Sequence, residues 1–418
     1  MWQQFKNFYH LLTAIFFILF YHFPARKLTV IGVTGSDGKT TTVNLIYEIL
    51  KAAGKKVSMV SSVKALVGEK KYEIGLHVTT PAPKDIQRFL HQAVLAGSKY
   101  TVLEASSHGL VQNRLWGCNF YLGVVTNITH DHLDYHQTYE NYLKAKAKLF
   151  GRTEIAVLNR DDESYNYLKS KVKRQKAKVV SYGIRQKADF TPKAFPFKTS
   201  LLGEYNQYNC LAAAATASNL GISNEQIRKA IATFKGVKGR MDEIKLGQDF
   251  RVFIDFASTP NSLKNALQTL KLEQRTKNKE QSRLVAVFGS AGLRDKMKRQ
   301  MMGEVSGKYA DITVLTAEDP RTEDVNEIIE QIAQGCLKSG AQEVSPQDFN
   351  NLNYQSKKPI FFRIPDREEA IRFAIQKLTK KDDIVVTCGK GHESSMCYGK
   401  KEYPWDEYEA VKKALKNL

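Results

Sequence analysis

Cysteine is sparse in this chain of 418 residues: Cys118, Cys210, Cys336, Cys388 and Cys397 are the five present. They are odd in number and scattered, and no C-x-x-C pair occurs. Neither a disulfide framework nor a zinc ribbon is indicated, and a reducing cytoplasm fits best. Acidic residues are also in deficit, 43 against 63 Lys and Arg, for a formal net charge of +20. No nucleic-acid module signature accompanies that charge, so nucleic acid is not an expected partner. Much of the excess sits in runs such as KSKVKRQKAK at 169–178, which read as a solvated basic face. A membrane surface or a substrate with several phosphates would also use it. Internal repeats and low-complexity tracts are lacking, while apolar content is ordinary. The length suffices for two or three domains with real cores.

A long apolar run is lacking too. The nearest approach, 8–23, is flanked by Lys6, Arg26 and Lys27 and interrupted by His10 and His22, short of the ~20 apolar residues that span a bilayer. No small-residue cleavage site follows, so a cleaved leader is not expected. Three readings stand for it: a helix packed on the protein or a partner, an interfacial membrane helix, or a true span. The expected location is cytoplasmic, with peripheral contact to the inner face of the membrane through this segment, and the chain is expected as a monomer.

What is present is an alternation of short apolar strands and helical segments, which implies a largely parallel sheet. Strands are expected at 28–33, 100–105, 121–126, 155–158 and 179–182, and helices at 41–53, 84–96, 206–219 and 224–234. Near Gly236-Val237-Lys238-Gly239 the chain turns. A second α/β series follows, with strands at 252–255, 284–288, 312–316 and 384–387 and a closing helix at 406–415. The expected division is an apolar helical segment at 1–27, a central domain at 28–237 and a Rossmann-like C-terminal domain at 238–418.

After the first strand, 34–42 reads TGSDGKTTT, in the strand–turn–helix setting that a phosphate-binding loop requires. Gly35 and Gly38 let the backbone approach phosphates. The amides of Thr34, Ser36, Asp37 and Thr41 lie along the turn and helix start. Lys39 can neutralise phosphate charge, and the Thr40 hydroxyl can reach Mg²⁺. Val33 stands where such loops carry their first glycine. Glu104 ends another apolar strand and can hold Mg²⁺ through oxygen. Ser106, Ser107, His108 and Arg114 follow and suit an anionic substrate; as ordinary structure they would be a helix cap and a surface arginine.

The densest stretch is 127–150, NITHDHLDYHQTYENYLKAKAKLF, which packs three histidines and two aspartates into 130–136. One reading is a zinc hydrolase, but Tyr135 stands where the last histidine of an H-x-H-x-D-H run belongs. The other pairs His132 with Lys146: a lysine that adds CO₂ becomes a carbamate, an anionic oxygen ligand that a hard cation accepts. Lys146 alone would read as a surface helix lysine.

An ordered series of motifs resolves the choice. TGSDGKTTT, TTP at 79–81, EASSHGLVQNR at 104–114, TNITHDHLDYH at 126–136 and YLKAKAKLF at 142–150 are followed by GEYNQYN at 203–209 and GRMD at 239–242. DFASTP at 255–260, LRDKMKR at 293–299, EDPR at 318–321 and GKGHE at 389–393 complete it. The series, over roughly residues 28–418, resembles the Mur ligases, of the MurE type. These join an amino acid to UDP-N-acetylmuramoyl-L-alanyl-D-glutamate in peptidoglycan synthesis through an acyl phosphate. The resemblance implies ATP and Mg²⁺ as cofactors. It places Lys39 and Thr40 on ATP phosphates and Mg²⁺, Glu104 and His132 on Mg²⁺, and Lys146 as the carbamylated lysine. It implies that Thr79, Thr80, Ser106, Gln112 and Arg114 hold the muramoyl-dipeptide, and that Asn206, Arg240 and Asp255 contact the nucleotide. Arg294, Glu318, Asp319, Arg321, Gly389 and Glu393 would line the pocket of the incoming amino acid, diaminopimelate being the first expectation.

Several positions depart from the pattern. The phosphate loop begins near residue 34, so the UDP-holding domain of about a hundred residues is not expected, and a lipid-linked acceptor becomes an alternative to a UDP-linked one. EDPR replaces DNPR, Ser258 stands where His is usual, and Asp37 where Asn is common. Two competing functions remain. One is another ligase of the superfamily, acting on folylpolyglutamate, cyanophycin or poly-γ-glutamate, against which SSHGL and GKGHE speak. The other is a nucleotide-binding scaffold without turnover, which would have no need of Lys39, Glu104, His132 and Lys146 together.

Overall fold

The computed structural model describes residues 2–129, 131–276, 282–348, 358–416 and 418. The chain divides into two compact units, Met1–Lys235 and Gly236–Leu418. In the first, eight strands form one sheet: β1 (Thr29–Thr34), β2 (Val57–Val60), β3 (Ala65–Val67), β4 (Lys70–Tyr72), β5 (Tyr100–Glu104), β6 (Phe120–Val125), β7 (Ile155–Asn159) and β8 (Lys178–Tyr182). Their order is β4-β3-β2-β5-β1-β6-β7-β8. All neighbours run parallel except β2–β3 and β3–β4. β1 and β7 are apolar along nearly their whole length and buried on both faces, as helix-covered parallel strands must be.

Register is what builds the site. Val33 of β1 sits opposite Glu104 of β5 on one side and Val124 of β6 on the other. The phosphate loop, Glu104 and the 126–136 stretch therefore leave three adjacent strands at the same edge, the carboxyl edge where α/β sheets bind ligands. The helices around them are α1 (Trp2–Phe20), α2 (Lys39–Ala52), α3 (Pro83–Leu95), α4 (Ser107–Val111), α5 (Leu133–His136) and α6 (Tyr139–Ala147). α2 starts at Lys39, two residues earlier than its sequence pattern suggests. Lys39 and Thr40 thus occupy the first turn, whose amides have no partner inside the helix. Behind α2 packs the helix Glu204–Asn219, whose Ala212–Ala215 run is fully buried and admits close approach. Strands β2, β3 and β4 were not legible as strands in the sequence.

α1 belongs to this first unit and packs on α3. Among the described residues no helix is long and apolar enough to cross a membrane, which removes the true-span reading of 8–23.

Among the described residues the main sheet of the second unit has seven strands: β9 (Asp242–Ile244), β10 (Arg251–Asp255), β11 (Leu284–Phe288), β12 (Ile312–Leu315), β13 (Gln342–Glu343), β14 (Ile360–Arg363) and β15 (Ile384–Cys388). They are ordered β13-β14-β12-β11-β15-β10-β9, with only β9 antiparallel. A hairpin of β16 (Ser395–Tyr398) and β17 (Lys401–Pro404) lies outside that sheet. Beside the apolar core, Arg367 is buried and held by Glu407 at 2.6 Å and by the carbonyls of Ala317 and Cys388. All five cysteines are buried thiols.

Candidate active site

The loop after β1 is shaped by two glycines. Gly38 has φ +81°, and a Cβ there would lie 2.3 Å from Asn209 Oδ1; at Gly35 a Cβ would lie 1.8 Å from Thr126 Oγ1. Only glycine meets both demands. The loop is pinned from β6: Thr126 Oγ1 donates to Asp37 O at 2.6 Å, and Asp37 N donates to Asn127 Oδ1 at 3.0 Å. Lys39 Nζ turns back to Ser36 O at 2.7 Å, within the loop it would share with a phosphate.

Thr40 and Glu104 meet across the sheet edge. The Thr40 hydroxyl donates to Glu104 Oε1 at 3.1 Å and shares a hydrogen bond with Ser62 at 2.8 Å, while Ser62 N donates to Glu104 Oε2 at 2.8 Å. Glu104 is buried. Its backbone starts a second chain of contacts: Thr80 Oγ1 donates to Glu104 O at 3.1 Å and accepts from Ser106 N and Ser106 Oγ, both at 2.9 Å. Ser106 also caps α4 by accepting from Gly109 N. Arg114 donates to Thr80 O at 2.9 Å and through two nitrogens to Gln112 Oε1 at 2.9 and 2.6 Å. The structure thus brings Thr80, Ser106, Gln112 and Arg114 into one network joined to Glu104. Thr79 lies half-buried beside it.

Among the described residues the 126–136 stretch forms no cluster of metal ligands. His130 lies outside the described residues. His136 Nε2 meets Ser107 Oγ at 3.0 Å, and Tyr135 OH accepts from Gln112 at 3.3 Å. Burial, with the nearby Lys146 charge, pushes the His136 imidazole down to about 4. His132 has φ +53° and holds Asp131 at 3.3 Å. Its ring lies edge-on to His108 at 5.0 Å and 6.3 Å from the Tyr142 ring.

Lys146 is the unexpected buried charge. It is 1% exposed, and Nζ donates to Gly35 O at 2.6 Å, 4.4 Å from the Tyr142 ring centre. Tyr142 in turn bonds Ser36 at 3.0 Å. Burial foremost, then repulsion from Lys39, drives the amine well below the usual lysine range, although Asp131, Asp37 and Asp162 pull the other way. The surface-lysine reading of this position is therefore wrong: α6 turns Lys146 inward on the face that also buries Tyr142 and Leu143, four and three residues earlier.

Asn206 donates to Leu202 O and accepts from Asn209, whose Oδ1 takes the Thr42 hydroxyl at 3.3 Å. Asn209 is the residue sequence reasoning missed here; the GEYNQYN motif contained it, three residues on and so on the same helix face. Asp131, Tyr142 and Ser62 were missed as well.

In the second unit the expected residues gather at the carboxyl edge of β10, β11, β12 and β15. Asp255 accepts from Met241 N and Ala257 N at 2.6 and 2.7 Å, and the Arg240 guanidinium lies 4.4 Å over the Phe256 ring. Glu318 is buried, Oε2 makes no hydrogen bond among the described residues, and burial pushes its carboxyl up to about 7. Gly389, with φ +105°, leaves room for it; a Cβ there would sit 2.4 Å from Oε2. Asp319 accepts from Lys390 at 2.9 and 3.0 Å and from Cys397 N at 2.9 Å, and Lys390 also holds Glu393 at 2.7 Å. Arg321 donates to Gly292 O at 2.8 Å; Arg294 is exposed. Asp319 and Arg321 both have positive φ, 43° and 55°, backbone strain of the kind that clusters at functional sites. Lys390 was the omission of the sequence reading, although GKGHE contains it.

A glycine-shaped strand–loop–helix turn beside a buried carboxylate, followed by a second parallel α/β unit with its own polar edge, is an arrangement that suits a nucleotide-dependent ligase. Comparison with known proteins agrees. Residues 33–217 match the Mur ligase middle domain and 239–391 the Mur ligase, glutamate ligase domain. The chain is 37% identical over 415 residues to the UDP-N-acetylmuramoyl-L-alanyl-D-glutamate--2,6-diaminopimelate ligase of Caldanaerobacter subterraneus, covering 95% of this chain and 80% of that protein. It is 36% identical over 431 residues to the ligase of the same name from Geobacillus kaustophilus, covering 96% and 82%. A solved structure of such a ligase superposes with a TM-score of 0.60 at 30% identity, covering 93% of this chain and 78% of that one. The chain belongs to the Mur ligase family, and it is an ATP-dependent amide ligase.

Proposed function

We propose that the chain joins a diamino acid, diaminopimelate first, to the D-glutamyl carboxylate of UDP-MurNAc-L-Ala-D-Glu or a closely related muramoyl-dipeptide. The observation that carries this is the hydrogen-bonded series Thr40–Glu104–Thr80, to which Ser106 and Arg114 each bond through Thr80. It links the nucleotide end of the site to a half-buried cation suited to an acidic peptide.

In this reading a carboxylate oxygen of the acceptor attacks the γ-phosphorus of ATP and ADP leaves. The amine nitrogen then attacks the acyl carbon, and phosphate departs as the amide forms and the amine loses its proton. Lys39 and the amides of residues 35–41 hold the phosphates. Thr40 and Glu104 offer the oxygen donors that Mg²⁺ prefers, and that ion, when bound, would offset the charge of the transferring phosphoryl group. His132, paired with Asp131, is assigned to the same ion. Lys146, whose amine is pushed by burial toward losing its proton, is suited to add CO₂ once deprotonated, its nitrogen bonding to carbon with release of one proton. The carbamate so formed would turn a poor neighbour for a cation into an oxygen ligand. Asn206, Arg240 and Asp255 are assigned to the nucleotide. Arg294, Glu318, Asp319, Arg321, Gly389 and Glu393 are assigned to the incoming amino acid; Arg321 suits its carboxylate, and the acidic Glu318–Asp319 pair its far ammonium.

The test is product mass after incubation with Mg²⁺-ATP, bicarbonate, UDP-muramoyl-dipeptide and a panel of amino acids. A tripeptide product with diaminopimelate is expected. Turnover with folate or glutamate acceptors, and none with muramoyl-dipeptide, would replace this reading with the folylpolyglutamate type.

A further inference from the structure

We propose that the outward face of α1 lies in the surface of an anionic lipid bilayer. The inference stands apart from the reaction proposed above. Phe5, Phe8, Leu12, Phe16, Leu19 and Phe20 recur at the spacing of one helix face, and each is 50–61% exposed. Helical geometry sets them in a single stripe. The opposite face is already occupied. Ala14 and Ile18 are buried, with Ile18 filling the space over Gly117. Tyr21 stacks on His91 at 4.9 Å, and Asn113 Nδ2 donates to Asn7 O at 3.3 Å. α1 is therefore seated on its own unit by one apolar face while presenting a second to the outside, a patch of the kind that marks an interaction surface.

Charge selects the occupant. α1 contains no acidic residue, and the exposed cations near its two ends are Lys6, Arg26 and Lys27. A second copy docked face to face would set these like charges together, in a chain of net charge +20. Anionic headgroups complement them. Because no helix among the described residues can cross a membrane, the helix would lie in the interfacial plane, with its aromatic stripe at the headgroup boundary.

Cosedimentation of the full chain with vesicles decides the matter. It should pellet with phosphatidylcholine vesicles carrying about 30% phosphatidylglycerol, release as salt is raised, and stay in solution with phosphatidylcholine alone. The triple substitution F8S/L12S/F16S should lower partition about tenfold or more, with melting temperature and lipid-free ATP turnover unchanged. Should that variant fail to fold, reversing Lys6, Arg26 and Lys27 to Glu should abolish pelleting with the anionic vesicles. Undiminished pelleting of a folded variant overturns the proposal. So does a parent chain that ignores both vesicles, or one that forms an α1-dependent dimer which vesicles do not dissolve.

Discussion

Lys146 and Lys390 are both fully enclosed, one in each unit, and they are opposites. Lys390 is surrounded by the carboxylates of Asp319 and Glu393, and that pairing raises its affinity for a proton despite burial. Lys146 meets a backbone carbonyl and the repulsion of Lys39, and its proton is loosely held. The lesson is that burial does not set the charge of a lysine; its neighbours do. One unit keeps a cation to organise an acidic pocket. The other holds an amine whose proton burial and Lys39 both weaken, beside the Gly35–Gly38 loop.

The contrast can be broken first at activity. Lys146→Ala should lower ADP release under ligation conditions by about 10³-fold, and millimolar short carboxylic acids should restore part of it by standing in for the carbamate. Turnover that ignores the substitution would sink the carbamate assignment. Stability gives the next largest separation. Lys390→Met leaves the buried Asp319 and the half-buried Glu393 carboxylates without their cation and should cost about 3 kcal/mol in denaturant unfolding. Lys146→Met removes no ion pair and should shift stability by about 1 kcal/mol. Equal losses would erase the distinction drawn here.

Two titrations sharpen it further. The raised Glu318 carboxyl means that the folded chain holds a proton the unfolded chain would release. Its contribution is full below pH 4.5 and declines as pH rises to about 7, by roughly 3 kcal/mol. Glu318→Gln should flatten that decline in unfolding measured across the interval. His136 works in the reverse sense. With its folded value at about 4 against 6.5, its contribution is present above pH 6.5 and lost on acidification toward 4. His136→Gln should move the acid-unfolding midpoint downward by less than about half a pH unit; an upward move would contradict the sign.

The sequence was readable where spacing along the chain carries the physics. The phosphate loop is local, and its glycines are demanded by contacts that any such turn must make. Glu104 was legible as a polar end on an apolar strand. Lys146 was visible only through family resemblance, since its burial depends on α6 facing Gly35, 111 residues away. Asn209, Tyr142 and Lys390 escaped for the same reason: each acts through a partner remote in sequence or inside a motif whose other members drew attention. The short strands β3 and β4 and the edge strand β13 carried too few residues for a period to emerge. The apolar stretch at 8–23 was ambiguous because both of its faces are apolar, and only the fold shows which one is already taken.

The five thiols have a practical meaning. Cys118 and Cys210 lie in the first unit, Cys336, Cys388 and Cys397 in the second, and all are enclosed. Burial pushes Cys118, Cys210 and Cys336 up to about 12, so almost no thiolate is available near neutrality. A native sample should stay silent toward alkylating reagents. Once either half opens, its own cysteines become labelled, and peptide mapping of the adducts would time the two openings separately, with no engineered reporter.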